Sequence, residues 1–141
     1  MTCVIRNAEL RDAEVLFLLV EQFATSFRPE REAFSVSLGQ ILGDDAARLI
    51  VAELDGVVVG YCLGFDHFAF YANGRVSWVE EIMVRSDLRG RDIGGKLMEA
   101  FEKWCRERSS RLVGLATRRA AGFYGKLGYE ESATFFRKLL E

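Results

Sequence analysis

The chain has 141 residues, of which 50% are hydrophobic and 28% charged, and its formal net charge is −2 at pH 7. This length and this apolar fraction predict one globular domain over residues 1–141, with a core of its own. The balanced charge argues against a nucleic-acid partner. The longest apolar runs fall short of the ~18 residues that a membrane helix needs, which argues against a membrane span.

Three cysteines are scattered along the chain, at positions 3, 62 and 105, and there is one histidine. An odd, dispersed set of cysteines fits a reducing compartment and argues against a disulfide framework or a structural zinc site. The first residues also lack the charged and apolar regions of a signal peptide. We therefore expect a cytoplasmic protein without a bound metal. Cys62 and Cys105 lie in apolar segments and are expected in the core.

The first part of the chain predicts a short strand followed by two helices. Residues 2–5 form a short apolar run. Asp12 is a suitable N-cap for the first helix, in which apolar residues recur on one face. Pro29 suits the first turn of the second helix.

Three strands are predicted next. Asp55-Gly56 indicates a two-residue hairpin turn, and Asn73-Gly74 indicates a second one. The aromatic segment 65–71, which contains His67, is predicted to be irregular and is either a surface loop packed on the sheet or a wall of an acceptor pocket. The predicted strands are 48–54, 57–63 and 76–84.

The remainder predicts a long helix, a strand, a short helix and a last strand. The long helix begins near Ile93, where apolar residues start to recur at helical spacing. The strand at 111–116, the short helix at 119–127 and the strand at 132–139 follow. The order β-α-α-β-β-β-α-β-α-β predicts a mixed α/β fold with helices on both faces of a sheet, and many folds share this order.

The junction between the strand 76–84 and the long helix is predicted to bind an anion. Residues 85–91 form a polar, basic turn between the two elements. The helix N-terminus offers unpaired N–H groups and the positive end of the helix dipole. Gly94 and Gly95 allow a ligand to approach the backbone closely.

Two motifs in this order resemble the GCN5-related N-acetyltransferase (GNAT) family. The segment Arg89-Gly90-Arg91-Asp92-Ile93-Gly94 resembles the family's acetyl-CoA signature, (Arg/Gln)-x-x-Gly-x-(Gly/Ala). About thirty residues later, the segment from Phe123-Tyr124 to Gly128-Tyr129 resembles the motif Phe-Tyr-x-x-x-Gly-(Phe/Tyr). The resemblance covers nearly the whole chain. It implies the GNAT acyl-CoA N-acyltransferase fold, with a mixed, mostly antiparallel central sheet flanked by helices, and direct transfer of an acetyl group from acetyl-CoA to a primary amine.

The resemblance also implies which residues hold acetyl-CoA. The strand around Ile82, Met83 and Val84 is expected to separate from its neighbour and to free N–H groups for the pantetheine and the acetyl oxygen. Thr117 stands where the family often has Asn, beside the pantetheine. The residues expected to hold the pyrophosphate, through backbone N–H groups or positive charge, are Arg89, Gly90, Arg91, Asp92, Ile93, Gly94 and Gly95.

Asp92 departs from the family pattern, which usually has Gly at this position. An aspartate tolerates a left-handed backbone, and its carboxylate can cap the helix. The same carboxylate would repel a phosphate ~4 Å away by about 1 kcal/mol in water and about 4 kcal/mol at an effective dielectric of 20. Asp92 therefore keeps an alternative open, a non-catalytic CoA-binding or regulatory module on the same fold.

Glu80 and Glu81 are the candidate bases for the amine proton. Adjacent residues of a regular strand point to opposite faces, so at most one of them is expected in the cleft. The local similarity of residues 79–87 to the polyamine acetyltransferases matches Glu80 to their proposed base, whereas other family members have an acid that matches Glu81. We expect Glu80 to be the base, with water as a relay. The alternative is one solvated carboxylate and one salt-bridge partner.

Tyr124 matches the tyrosine that protonates the departing CoA thiolate in the family, and the alternative is a core tyrosine with a hydrogen-bonded hydroxyl. The acidic pair and the aromatic segment 65–71 suit a small cationic amine, such as a polyamine. The family also acetylates amino sugars, aminoalkylphosphonates, amino acids and protein amines, so the acceptor stays open. Family members often dimerise, and a homodimer is therefore considered, although no residue indicates one.

Overall fold

The computed structural model describes residues 2–24 and 26–140, which contain five strands and four α-helices. Single turns of 3-10 helix, Leu10–Asp12 and Ser86–Leu88, precede the first and third α-helices. The strands are β1 (Cys3–Asn7), β2 (Ala47–Leu54), β3 (Val57–Ala69), β4 (Gly74–Val84) and β5 (Val113–Leu115). The helices are α1 (Ala13–Phe23), α2 (Arg31–Leu42), α3 (Ile93–Glu107) and α4 (Ala121–Lys126).

The five strands form one sheet in the order β1-β2-β3-β4-β5. The first four strands pair antiparallel, and β5 pairs parallel to β4. Two apolar clusters cover the two faces of the sheet. One joins α1 and α2 to the sheet, and the other joins α3 and Tyr124 of α4 to it. The predicted mixed, mostly antiparallel sheet flanked by helices is confirmed.

The long helix α3 is buried along the face that the sequence predicts. Its apolar residues recur every three or four positions, so they form one stripe on the helix. The ring of Phe101 packs so closely on β3 that a Cβ on Gly64 would overlap it. Glycine at this strand position therefore lets α3 approach the sheet. The buried stripe consists of Ile93, Leu97, Met98, Phe101, Trp104 and Cys105.

The two hairpins differ from each other. Asp55 and Gly56 have φ angles of 51° and 83°, so the predicted two-residue turn is confirmed. The second prediction is wrong, because Ala69 pairs with Gly74 and the loop between them has four residues. The predicted irregular segment 65–71 is also wrong over most of its length, since β3 continues to Ala69. Aromatic residues favour a strand wherever a neighbouring strand can pair with them, as β4 does here.

The predicted last strand at 132–139 is wrong. Residues 130–140 have no sheet pairing, and their side chains are exposed. The segment is held by side chains: Phe135 stacks on Trp78 with ring centroids 6.2 Å apart, and Arg137 donates to Ser26 Oγ at 3.1 Å. A sequence of high strand propensity becomes a strand only where a neighbouring strand completes the ladder, and in the described residues this segment has no such neighbour.

An ion pair joins β1 to the start of α1. Asp12 accepts hydrogen bonds from Arg6 Nη1 and Nη2, each at 2.8 Å, and from the N–H of Glu9 at 2.8 Å. Asp12 is the N-cap residue of α1, as predicted, but its side chain makes no cap bond, because the carboxylate binds this guanidinium rather than an N–H group of α1. Two charge-assisted bonds to one guanidinium are stronger than a single cap bond. Arg6 also bonds Glu53 of β2 at 2.8 Å.

We predict that Asp12→Asn lowers the free energy of unfolding at pH 7 by about 3 kcal/mol, the lower end of the cost of breaking a buried ion pair. Asp12 is 3% exposed, and the hydrogen bonds from Arg6 hold its pKa below the usual value. A carboxyl whose pKa is lowered by folding stabilises the fold above its unfolded pKa of ~3.9, and that contribution is lost as the pH falls further. Urea unfolding of the natural protein and the variant at pH 7, 5 and 3 measures the difference between their free energies of unfolding. This difference should shrink only at the lowest pH.

The control is Glu14→Gln. It removes an exposed carboxylate of α1 that pairs with Arg31 of α2. Its stability should barely change, because exposed ion pairs contribute little. An Asp12→Asn penalty that is equally large at pH 3 and pH 7 would contradict the assignment of the stability to the charged carboxylate.

Candidate active site

A β-bulge in β4 decides which of the two adjacent glutamates faces α1 and α2. Glu81 pairs with Leu63 of β3, and Val79 pairs with the next residue of β3, so Glu80 is the extra residue of β4. Val79 and Ile82 both pack in the cluster around α3, whereas in a regular strand residues three apart point to opposite faces. The bulge thus shifts the alternation and places Glu81 on the α1–α2 side.

Glu81 is half-buried and is held by a tyrosine of the neighbouring strand. The Tyr61 hydroxyl donates to Glu81 Oε1 at 2.6 Å. Tyr61 is 2% exposed, and burial, reinforced by the negative charge of Glu81, raises its pKa, so the phenol keeps the proton that it donates. The sequence analysis missed Tyr61. A tyrosine inside the apolar run 57–63 was the available signal, because a buried hydroxyl needs a partner.

Tyr61 and Glu81 line a cavity of about 630 Å³ between α1, α2 and the sheet. Glu80, by contrast, is exposed and is not one of the described residues that line this cavity. The geometry therefore separates the two carboxylates, one facing an apolar cavity and one facing solvent. It ranks Glu81 before Glu80 as a group that can meet an acceptor, the reverse of the order expected from the local resemblance.

The end of β4 has a partner strand on one side only. β5 pairs with β4 at Ser77, Trp78 and Val79, and the pairing stops there. β4 continues over residues 80–84, where its pairs are with β3. This geometry agrees with the expected separation of the strand around Ile82, Met83 and Val84 from its neighbour. Backbone groups on the unpaired side are available to a ligand that lies along the strand edge.

The loop that follows β4 leads into the N-terminus of α3. Gly90 has a φ of 83°, a backbone conformation that favours glycine. Arg89 and Arg91 are exposed, and the Arg89 guanidinium carbon lies 5.3 Å from the ring centroid of Phe23 in α1. Ile93 is buried and anchors the helix start. The structure therefore brings a glycine turn, exposed arginines and a helix N-terminus together where the sequence predicts an anion site.

Asp92 lies at the N-cap position of α3 with a φ of 61°. Its left-handed backbone is the conformation that the sequence analysis considered for this residue. Its side chain makes no cap hydrogen bond, so the capping role is wrong. The carboxylate lies over the first turn, where a Cβ on Gly95 would collide with it. A negative charge thus stands beside N–H groups that the family presents to phosphate.

Tyr124 is 8% exposed and packs in the cluster that also receives Ile82 and Val84 of β4. Its ring meets Phe123 and Tyr129 edge-on, with centroid distances of 4.9 and 5.9 Å. Burial raises the pKa of the phenol, which therefore keeps its proton at neutral pH. Within residues 2–24 and 26–140, no side chain or backbone group hydrogen-bonds its hydroxyl. The alternative role, a core tyrosine with a hydrogen-bonded hydroxyl, is therefore wrong within the described residues.

The start of α4 packs against the start of α3. A Cβ on Gly94 would lie 3.2 Å from the ring of Phe123, so glycine allows the two helices to meet. Thr117, which precedes α4, is exposed and accepts the N–H of Ala120 with its Oγ1 at 3.1 Å. Its hydroxyl hydrogen remains able to donate to a ligand beyond the end of β5.

The aromatic end of the β3–β4 hairpin does not contribute to the cavity. His67, Phe68, Phe70 and Tyr71 are exposed and are absent from the described cavity lining, so the acceptor-wall alternative is wrong for them. Asp66 is buried and pairs with Arg108, which fixes the hairpin to the end of α3.

Cys62 and Cys105 are confirmed as core residues. Both side chains are buried. Burial raises the pKa of Cys62 to about 12 and also raises that of Cys105, so neither is a thiolate at neutral pH.

Among the described side chains, no group of three or more histidine, cysteine or acidic residues is placed to hold a metal ion. None of the helices in residues 2–24 and 26–140 has the length and apolar character needed to cross a bilayer.

Comparisons with known proteins bear on the same residues. The model of the acetyltransferase (GNAT) family matches residues 9–129. An uncharacterized N-acetyltransferase of Archaeoglobus fulgidus is 33% identical over 89 residues, a match that spans 60% of each chain. The aminoalkylphosphonate N-acetyltransferase of Salmonella typhimurium is 26% identical over 142 aligned positions, which cover 98% of this chain and 92% of that protein.

The fold has counterparts among solved structures. The crystal structure of glucosamine-6-phosphate N-acetyltransferase from Arabidopsis thaliana superposes with a TM-score of 0.88 at 22% identity, over the full length of both chains. At this identity the similarity establishes a shared fold. The family match over residues 9–129 shows that this chain belongs to the acetyltransferase (GNAT) family, whose fold binds acetyl-CoA.

Proposed function

We propose that this protein transfers the acetyl group of acetyl-CoA directly to the primary amine of a small molecule. The observation that carries the proposal is the position of Glu81, whose carboxylate faces a cavity of about 630 Å³ from the part of β4 that β5 leaves unpaired. An amine in the cavity and an acetyl group along the open strand edge would then meet at one place. Holding two reactants together supplies much of the rate of such a transfer.

The residues around the open edge fit acetyl-CoA. The unpaired backbone of residues 80–84 can bind an amide-containing arm and an acetyl oxygen, as preorganised donors stabilise developing negative charge. The glycine turn and the N-terminus of α3 suit a pyrophosphate. The residues proposed for this role are Ile82, Met83, Val84, Arg89, Gly90, Arg91, Ile93, Gly94, Gly95 and Thr117, with Asp92 opposing the phosphate charge.

The amine must lose a proton before or during the attack. Its unperturbed pKa is about 10, so a carboxylate cannot remove the proton efficiently unless the amine is desolvated or water relays the proton. We assign this role to Glu81, with Tyr61 as a positioning residue that fixes one carboxylate oxygen. Glu80, the candidate matched to the polyamine acetyltransferases, is retained as the alternative.

Tyr124 is proposed as the general acid. The departing thiol has a pKa of about 8.5 and leaves as a thiolate, which is costly in a site without water. A buried phenol that keeps its proton at neutral pH can stabilise the thiolate and protonate it. Tyr124 shares its cluster with Ile82 and Val84, so the proposed acid lies beside the proposed acetyl site.

The experiment that tests the proposal measures CoA thiol release with a panel of amines, after a thermal-shift titration with CoA, acetyl-CoA and ATP. Stabilisation by the two CoA species and amine-dependent thiol release are expected. Stabilisation without thiol release from any amine would favour the alternative, a non-catalytic CoA-binding module, for which the charge of Asp92 is the supporting observation.

Glu81→Gln is predicted to lower the acetylation rate at neutral pH by roughly 10²- to 10⁴-fold, the usual contribution of one acid–base group. The loss should shrink at high pH, where more of the acceptor is already neutral, and CoA affinity should not change. Rate profiles from pH 6 to pH 10 measure both effects.

Glu80→Gln is the matched control, since it removes the same charge one residue away on the exposed side of the bulge. It should leave the profile nearly unchanged. If Glu80→Gln shows the pH-dependent loss and Glu81→Gln does not, the assignment to Glu81 is wrong.

Tyr124→Phe is predicted to keep the fold and the affinity for acetyl-CoA, because the ring and its packing remain. The turnover rate should fall roughly 10²- to 10⁴-fold. Tyr129→Phe is the control: it removes a hydroxyl of the same cluster that donates to Glu102 at 2.7 Å, and its turnover should stay near normal. Normal turnover of a folded Tyr124→Phe variant would remove Tyr124 from the mechanism.

Asp92→Asn and Asp92→Gly are both predicted to tighten CoA binding by about fivefold, which corresponds to ~1 kcal/mol of relieved repulsion in water. Asn and Gly both accept the left-handed backbone of position 92. The two variants therefore share one difference from the natural protein, the loss of the negative charge. The gain should be larger at low salt, because screening is weaker there. Calorimetry that finds unchanged or weaker binding for both variants would show that the carboxylate does not oppose the phosphates.

A further inference from the structure

The cavity above Glu81 is large enough to hold more than an amino group. Its volume of about 630 Å³ falls within the range of sites that bury a whole small molecule. It opens between α1 and α2, and Tyr61 and Glu81 lie on the sheet side of it. A ligand that places its amine at Glu81 therefore extends away from the sheet, between the two helices.

The walls of the cavity are predominantly apolar. Side chains from α1, α2, β2, β3 and β4 all contribute, and several of them are core residues with little exposure to solvent. Among the apolar side chains of the described lining are Leu16, Val20, Phe23, Phe34, Leu38 and Met83.

The described lining has few charged side chains, and they differ in their exposure to solvent. Arg28 and Glu30 are exposed residues of the connection between α1 and α2, whereas Glu81 is half-buried in the sheet. Tyr61 occupies Oε1 of Glu81, and none of the described residues hydrogen-bonds Oε2. One carboxylate oxygen is thus fixed, and the other is available to an ammonium group.

These observations discriminate between acceptor classes. A phosphonate or sugar-phosphate acceptor needs several cationic partners, whereas Arg28 is the one cation of the described lining, which otherwise offers the hydroxyls of Ser26 and Ser37. A polyamine would place its second ammonium either against apolar walls, where an unpaired charge is costly, or near Glu30, the other carboxylate of the described lining, which is exposed to solvent. An aliphatic or aromatic chain in the same position gains free energy, because it removes apolar surface from water.

We infer that the acceptor is a primary amine carrying an aliphatic or aromatic body, with the amine at Glu81 and the body in the apolar cavity. This inference rests on the proposed function, since it names the acceptor class of the same site. It replaces the polyamine expectation with an amine that has a single charged end.

The test compares n-alkylamines from propylamine to hexylamine as acceptors at saturating acetyl-CoA. The value of kcat/KM should rise about three- to fourfold per methylene, the effect of burying one CH₂ group, until the cavity is filled. Hexylamine and 1,5-diaminopentane have the same number of heavy atoms and differ at the far end, a methyl group against an ammonium. Hexylamine should be preferred at least tenfold.

Two variants of α2 test whether the preference for hexylamine arises in the cavity. Ala33 lies on the exposed surface of α2 and lines the cavity. Val36, three residues later, is 63% exposed and is not among the described lining residues. Ala33→Asp should lower kcat/KM for hexylamine about tenfold and should reduce or reverse the preference over diaminopentane. Val36→Asp adds the same charge to the same helix outside the cavity and should leave both values unchanged.

Calorimetry with the same amines and CoA-saturated protein separates the two proposals. Hexylamine binding without thiol release would overturn the proposed function and leave the apolar amine as a ligand of the cavity rather than an acceptor. Thiol release with diaminopentane at least as fast as with hexylamine, or a flat alkylamine series, would overturn the acceptor class and leave the proposed function standing. An absence of both binding and release for every amine would overturn both.

Discussion

The candidate active site depends on one irregularity of the sheet, the bulge that makes Glu80 the extra residue of β4. Without it, alternation along the strand would place Val79 and Glu81 on the same face, and Glu81 would point into the α3 cluster. Burying a carboxylate among those apolar side chains would be costly. The bulge instead directs Glu81 to the cavity beside α1 and α2 and leaves Glu80 in solvent. The neighbouring position of β3 is Gly64, where the ring of Phe101 leaves no room for a side chain.

The rest of the fold supports this arrangement from both faces of the sheet. On one face, the ion pair of Arg6 with Asp12 and Glu53 joins β1, β2 and the start of α1, and so positions one wall of the cavity. On the other face, α3 anchors its N-terminus through Ile93, and the close contact of Gly94 with Phe123 brings α4 and Tyr124 to the open edge of β4. Each proposed reactant site is thus held by a different layer, and the unpaired part of β4 lies between them.

Local patterns predicted much of this fold. The apolar stripe of α3 and the Asp55-Gly56 turn depend on neighbouring residues, so both could be recognised in the sequence. The bulge could not, because two consecutive glutamates carry no signal for it, and it is defined by the register between β3 and β4. The bond between Asp12 and Arg6 and the unpaired segment 130–140 were missed for the same reason, since each is decided by a partner outside the local pattern. The family resemblance indicated the pair Glu80 and Glu81, but which of them faces the cavity is decided by the register of β3 and β4.

The most direct measurement of the central claim is a crystal structure with a bisubstrate analogue in which hexylamine is joined through an acetyl bridge to the sulfur of CoA. We expect the nitrogen within hydrogen-bond distance of Glu81, directly or through one water, and the hydrocarbon chain in the cavity between α1 and α2. A nitrogen that meets Glu80 instead, or a chain that lies outside the cavity, would contradict it.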